Sequence, residues 1–200
     1  MYKRQGADIL YGGAGNDVLT GGAGVNSILV AGSGNTSLVG GAGRAALMYG
    51  GLGSSIFTGS AGGGDTMVGG GGGNVYFMTD GDIAFGGPTG PDVFHAGTGS
   101  ALIVEGPGPT DVALGGGSAT AFAGTGADTY TVTQGLGGSA AIIGFKAGDQ
   151  IVLAGYGAQE ASSALAGAST GSFGTSLHLS DGTEVTLFGV TLTAAQISVT

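Results

Sequence analysis

Polar and apolar positions in this chain alternate in short bursts rather than in helical steps. Residues 17–20 read DVLT, a polar slot followed two positions later by a large apolar residue, and the couplet recurs about every nine residues. The slot falls at Asp8, Asp17, Asn26, Thr36, Ala45, Ser55, Asp65, Asn74, Asp82, Asp92, Ala101, Asp111, Ala119 and Asp128, about fourteen repeats. Two positions on come Leu10, Leu19, Ile28, Leu38, Leu47, Phe57, Met67, Tyr76, Ala84, Phe94, Ile103, Ala113 and Tyr130. Side chains alternate across a strand, so these apolar residues are expected to point inward together and form the core.

Alternate slots Asp17, Thr36, Ser55, Asn74, Asp92, Asp111 and Asp128 are separated by 19, 19, 19, 18, 19 and 17 residues, with a second row running from Asp8 to Ala119. A double row is what a solenoid with two repeats per coil produces, and about seven coils at ~4.8 Å would span roughly 34 Å. The 49 glycines fit the turns between couplets, where positive φ or close approach of coils leaves no room for a Cβ.

Charge narrows the chemistry. Only Lys3, Arg4, Arg44 and Lys146 are basic and the net charge is −9, so nucleic acid is a poor partner. Ten of the thirteen acids are Asp, which points to a hard cation with oxygen ligands. Carboxylates stacked at about 5 Å repel by roughly 3 kcal/mol at an effective dielectric near 20, so an acidic ladder resists folding unless a cation sits between its rungs. Calcium suits six to eight oxygens in flexible geometry, whereas magnesium keeps its waters. The other role open to these Asp is to accept turn hydrogen bonds. Cysteine is absent, and no apolar run is long enough to span a membrane as a helix.

Residues 12–20 read GGAGNDVLT, a full match to the nonapeptide G-G-x-G-x-D-x-U-x. From residue 6 to about 131 the chain resembles the repeats-in-toxin (RTX) family, the haemolysin-type calcium-binding repeats. The resemblance implies an all-β, right-handed parallel β-roll, a β-solenoid over residues 1–131, closed by a non-repetitive β cap over 132–200. It also implies calcium held by turn carbonyls and by Asp8, Asp17, Asn26, Asp65, Asn74, Asp82, Asp92, Asp111 and Asp128. Expected pairs along the rows are Asp65 with Asp82, Asp92 with Asp111 and Asp111 with Asp128. Thr36, Ala45 and Ser55 depart from the family pattern, so the middle coils are expected to close without metal through hydroxyl and amide hydrogen bonds, with calcium mainly in the later half.

Beyond Asp128 the period stops. Residues 141–145, 150–153, 176–180 and 184–188 read as strands, Asp181-Gly182 as a hairpin turn, 159–166 as a short helix, and Thr193 with Gln196 as a capping box. The runs AIIGFKAGDQIVLAGYG and LHLSDGTEVTLFGVTL are similar to the C-terminal regions of proteins exported by bacterial type I secretion. That resemblance implies an extracellular or cell-surface protein carried by the type I secretion machinery, and accounts for the lack of a visible N-terminal signal peptide.

Catalysis finds little support. His95 and His178 have no second His or Cys near them, and no G-K-[ST] follows a glycine run. Outward positions such as Ile9, Tyr11, Ile56, Phe77, Phe85 and Val104 would put an apolar sheet in water, which favours self-association. With the repeats starting by Gly6, the reading is a non-enzymatic, secreted structural protein that self-assembles in a surface layer, matrix or filament. The alternative is the tail of a larger exported enzyme, toxin or adhesin.

Overall fold

Short couplets with one inward apolar residue and flanking glycines make short strands, and the computed structural model describes residues 7–200 as a stack of them. The expected first repeat residue, Gly6, lies outside the described residues. The strands are β1 (Ile9–Tyr11), β2 (Asp17–Thr20), β3 (Ile28–Val30), β4 (Thr36–Val39), β5 (Leu47–Tyr49), β6 (Ser55–Thr58) and β7 (Thr66–Val68). They continue as β8 (Asn74–Phe77), β9 (Asp82–Phe85), β10 (Asp92–His95), β11 (Ser100–Val104), β12 (Thr110–Leu114), β13 (Ser118–Phe122) and β14 (Thr129–Thr133). The C-terminal part adds β15 (Ser139–Ile143), β16 (Gln150–Ala154), α1 (Glu160–Ala166), β17 (Ser169–Gly171), β18 (Gly174–His178), β19 (Glu184–Phe188) and β20 (Ile197–Val199).

Odd strands β1 to β15 stack in parallel in one sheet and even strands β2 to β16 in the other. Among the described residues that makes eight coils of a parallel β-roll, one more than expected, because β15 and β16 continue the stacking on β13 and β14. Strand β19 pairs in parallel with β15 and then turns back antiparallel to β18. Gly182, at φ 87°, makes the expected turn between them. A single turn of 3₁₀ helix, Ala194–Gln196, carries the expected capping box and leads into β20, which pairs with β16.

Leu38, Phe57, Tyr76, Phe94 and Tyr130 are fully buried inside the even sheet. Phe57, Tyr76 and Phe94 stack ring on ring, with centroids 4.8 and 4.3 Å apart. The odd sheet supplies small inward residues in two of these coils, Ala84 in the coil of Phe94 and Ala121 in that of Tyr130, and Met48 and Met67 in the coils of Phe57 and Tyr76.

Three slots are shifted by one residue from the expected register. Ser27 and Ala46 take the inward slots in place of Asn26 and Ala45, because those two residues sit in left-handed turns at φ 63° and 58° and each absorbs one residue before its strand. Leu29 and Met48, rather than Ile28 and Leu47, are therefore fully buried. The third shift is at Asp111. Strand β12 pairs Thr110, not Asp111, with Asp92, which turns Val112 and Leu114 inward in place of Ala113 and leaves Asp111 in solvent. A one-residue slip exchanges the two faces of a strand, and here it buries two large apolar side chains while keeping a carboxylate wet.

The outer face of the odd sheet carries two rows. The outer row of strand ends reads Tyr11, Val30, Tyr49, Val68, Phe85, Val104, Phe122, Ile143 and Phe188, an aromatic residue alternating with a branched aliphatic one at every rung. The parallel row beside it passes through Ile9, Ile28, Leu47, Thr66, Ile83, Leu102, Thr120, Ala141 and Thr186.

Candidate calcium sites in the turns

Each slot residue opens a strand, faces inward and lies at the end of a glycine turn. In the even sheet the register aligns Asp17, Thr36, Ser55, Asn74, Asp92, Thr110, Asp128 and Asp149. In the odd sheet it aligns Asp8, Ser27, Ala46, Asp65, Asp82, Ala101, Ala119 and Ala140. Asp65 and Asp82 are thus adjacent, as expected. Asp92 and Asp128 share a row with Thr110 between them, so the two expected pairs through Asp111 are not formed. Asn26, exposed in its turn, is outside the row as well.

The buried carboxylates are tied into the backbone in a repeated way, each accepting from its own turn and from the slot amide one coil before. Asp92 accepts from the Gly87 N–H at 2.7 Å, the Asn74 N–H at 3.0 Å and the Asn74 side-chain amide at 2.9 Å. Asp82 accepts from the Thr79 N–H at 2.6 Å and the Asp65 N–H at 2.8 Å. Asp65 accepts from the Ala46 N–H at 2.5 Å, the Ser60 hydroxyl at 2.8 Å and the Ser60 N–H. The turn-acceptor role is therefore realised in the later coils. Burial pushes the Asp82 and Asp92 carboxyls above the usual carboxylate range; donated hydrogen bonds pull the other way, and the Asp65 carboxylate adds to the rise at Asp82.

The N-terminal turns are more open. Asp8 and Asp17 are half-buried, and Asp17 accepts one hydrogen bond, from the Gly13 N–H at 2.6 Å. In the middle coils, the slot hydroxyls of Thr36 and Ser55 are buried without a hydrogen-bond partner among the described residues. Amide groups close those coils: in the slot row the Asn74 side-chain oxygen accepts from the Ser55 N–H at 3.1 Å, and outside it the Asn16 and Asn35 side-chain oxygens accept from the Asn35 and Ser54 N–H groups at 3.3 and 3.0 Å.

The last rung of the even row was missed at the level of sequence. The Lys146 ammonium lies between two fully buried carboxylates, 3.0 Å from Asp128 and 2.9 Å from Asp149. Burial disfavours its charge, but the hydrogen bonds to Asp149 and Asp128 outweigh this and hold Lys146 above its ordinary range. Asp149 stands 21 residues after Asp128 in GFKAGD, a degenerate turn whose three extra residues broke the visible period. Glu105 also went unnoticed. It replaces the first glycine of a repeat, accepts from the Tyr130 hydroxyl at 2.7 Å and the Gly124 N–H at 3.2 Å, and is pushed up to about 8 by burial and by the Asp128 carboxylate.

The family model of the RTX calcium-binding nonapeptide repeat matches residues 4–28, in four copies. That N-terminal segment is similar to the RTX repeat. No curated protein matches it. RTX repeats bind calcium, and the residues in the matched segment suit that ion: the donors are carboxylate and backbone oxygens, without thiolate or imidazole. Among the described residues no group of three or more His, Cys, Asp or Glu converges on one point, so a calcium ion in these RTX turns must draw most of its six to eight oxygens from turn carbonyls.

Proposed function

We propose that this is a secreted RTX β-roll with a structural role, in which calcium completes the fold and the folded roll self-assembles into a surface layer, extracellular matrix or filament. The observation that carries this reading is the pair Asp65 and Asp82, two buried carboxylates on consecutive coils that form no salt bridge with a Lys or Arg among the described residues. Calcium would be held by Asp8 and Asp17 with the carbonyls of their turns, and by the Asp65 and Asp82 pair. There it would supply the positive charge that hydrogen bonds alone do not. The chain's own residues orient the carboxylates through the turn N–H groups and exclude water with the apolar ladder beneath. A structural role agrees with the use made of the two histidines: His95 stacks on Phe77 at 4.8 Å, and His178 faces Glu184 across a hairpin. Type I secretion fits the C-terminal runs already described, with folding deferred until the chain meets extracellular calcium.

Negative-stain electron microscopy with millimolar calcium and with chelator tests assembly. Ordered filaments or arrays in calcium that dissolve in chelator are expected. Dispersed single particles under both conditions would refute it.

A further inference from the structure

The outer face of the odd sheet pairs a ridge with a trough. The ridge is the alternating ladder from Tyr11 to Phe188, in which Phe85, Phe122 and Phe188 remain 39%, 42% and 41% exposed. Beside it, the second row is smaller than the ridge at the rungs where the ridge residue is aromatic, and two shallow depressions of about 200 and 240 Å³ lie along it, one lined by Thr120, Ala141 and Thr186 with Glu184 at its edge and the other by Ile83 and Leu102. Neither row contains a charged residue, although the chain carries −9. Nine strands at ~4.8 Å and three to five residues each at ~3.3 Å make a footprint on the order of 600 Å². Monomers seldom leave so large a contiguous apolar face in water.

We propose that this face seats a second copy of the chain, packed sheet on sheet about a two-fold axis parallel to the roll and running between ridge and trough. The inference rests on the self-assembly reading and names its contact surface. Rotation about that axis lays each ridge over the partner's trough, so Phe122 of one copy meets the Thr120 position of the other at the same rung. Such an isologous contact needs a surface complementary to itself, which a ridge alone or a trough alone would not provide. Two acidic rolls also repel, and they approach most easily through these two uncharged rows, which Glu184 borders at the C-terminal end of the sheet. The footprint lies at the lower end of the ~600–1,000 Å² per partner of stable interfaces.

Sedimentation equilibrium of the full chain in calcium tests this. A species of twice 18.8 kDa is expected for the natural chain. Phe122→Asp and Val104→Lys, both outward and harmless to the core, should weaken the dimer at least 100-fold with an unchanged circular dichroism spectrum. Val75→Asp, on the outer face of the even sheet, should leave it intact. The chain has no cysteine, so mixing Thr120→Cys with Phe122→Cys chains should give a mixed disulfide faster than either alone. A natural chain that stays monomeric, or a dimer broken by Val75→Asp and untouched by Phe122→Asp and Val104→Lys, overturns the proposal. So does Phe122-dependent flotation of monomers with phosphatidylcholine vesicles, which would assign the face to lipid. Filaments that persist in both odd-face variants would sink this contact while leaving the assembly reading standing.

Discussion

Lys146 does for one rung what calcium would do at the proposed sites, since its ammonium neutralises two stacked carboxylates that are otherwise fully buried. Lys146→Met should therefore lower stability in chelator by about 1–3 kcal/mol, less than for a wholly buried pair because the side chain is 36% exposed. Millimolar calcium should restore much of the loss in the variant. A loss of the same size with and without calcium, measured by urea unfolding, would remove Lys146 from this role. Glu105 gives the opposite test, of a charge that is avoided. Its carboxyl is raised to about 8 in the fold, against ~4.3 in an unfolded chain. A raised carboxyl contributes stability that is fully present below the unfolded value and is lost as pH rises through the folded one. Stability in chelator should thus fall between about pH 4.5 and 8, and Glu105→Gln should flatten that slope. An equally steep slope in the variant would contradict the assignment.

Strand identity was legible because a period of two residues within each couplet and of nine between couplets leaves little freedom: the expected inward Leu38, Phe57, Tyr76, Phe94 and Tyr130 are all at the core. Register within a turn was not legible. Whether a turn swallows a residue depends on backbone conformation, and Asn26 and Ala45 adopt φ values that sequence spacing does not announce. Ala45 is strained there, since a left-handed residue with a Cβ costs roughly 1–2 kcal/mol. Ala45→Gly should raise the thermal midpoint, the gain being partly offset by the freedom glycine has when unfolded. At Gly51 the opposite change is harmful, because a Cβ would overlap the carbonyl oxygen of Gly32 in the coil before. Gly51→Ala should lower the midpoint by several degrees, and an unchanged one would mean that the coils stack less tightly there. The slip at Asp111 has a similar origin: the two competing registers differ in whether Asp111 and Ala113 or Thr110, Val112 and Leu114 are buried, and that comparison requires the sheet.

At the scale of the molecule, eight coils among the described residues convert a linear spacing of about eighteen residues into columns of neighbours. The solenoid and the acidic slots were visible in the chain; the distribution of positive charge along the columns was not, because Lys146 and Asp149 lie past the point where the period fades. Calcium is consequently expected at the N-terminal turns of Asp8 and Asp17 and at Asp65 with Asp82, not mainly in the later half. The outward ladder follows from the same columns, and only pairing in the sheet reveals that its aromatic and aliphatic rungs alternate. The account as a whole is tested most directly by titrating the chelated full chain with calcium while recording far-ultraviolet circular dichroism and bound ion. It predicts a cooperative gain of β signal that is abolished in an Asp65→Asn, Asp82→Asn variant or shifted there to much higher calcium. A complete β spectrum in chelator with no ion bound at millimolar calcium would contradict it.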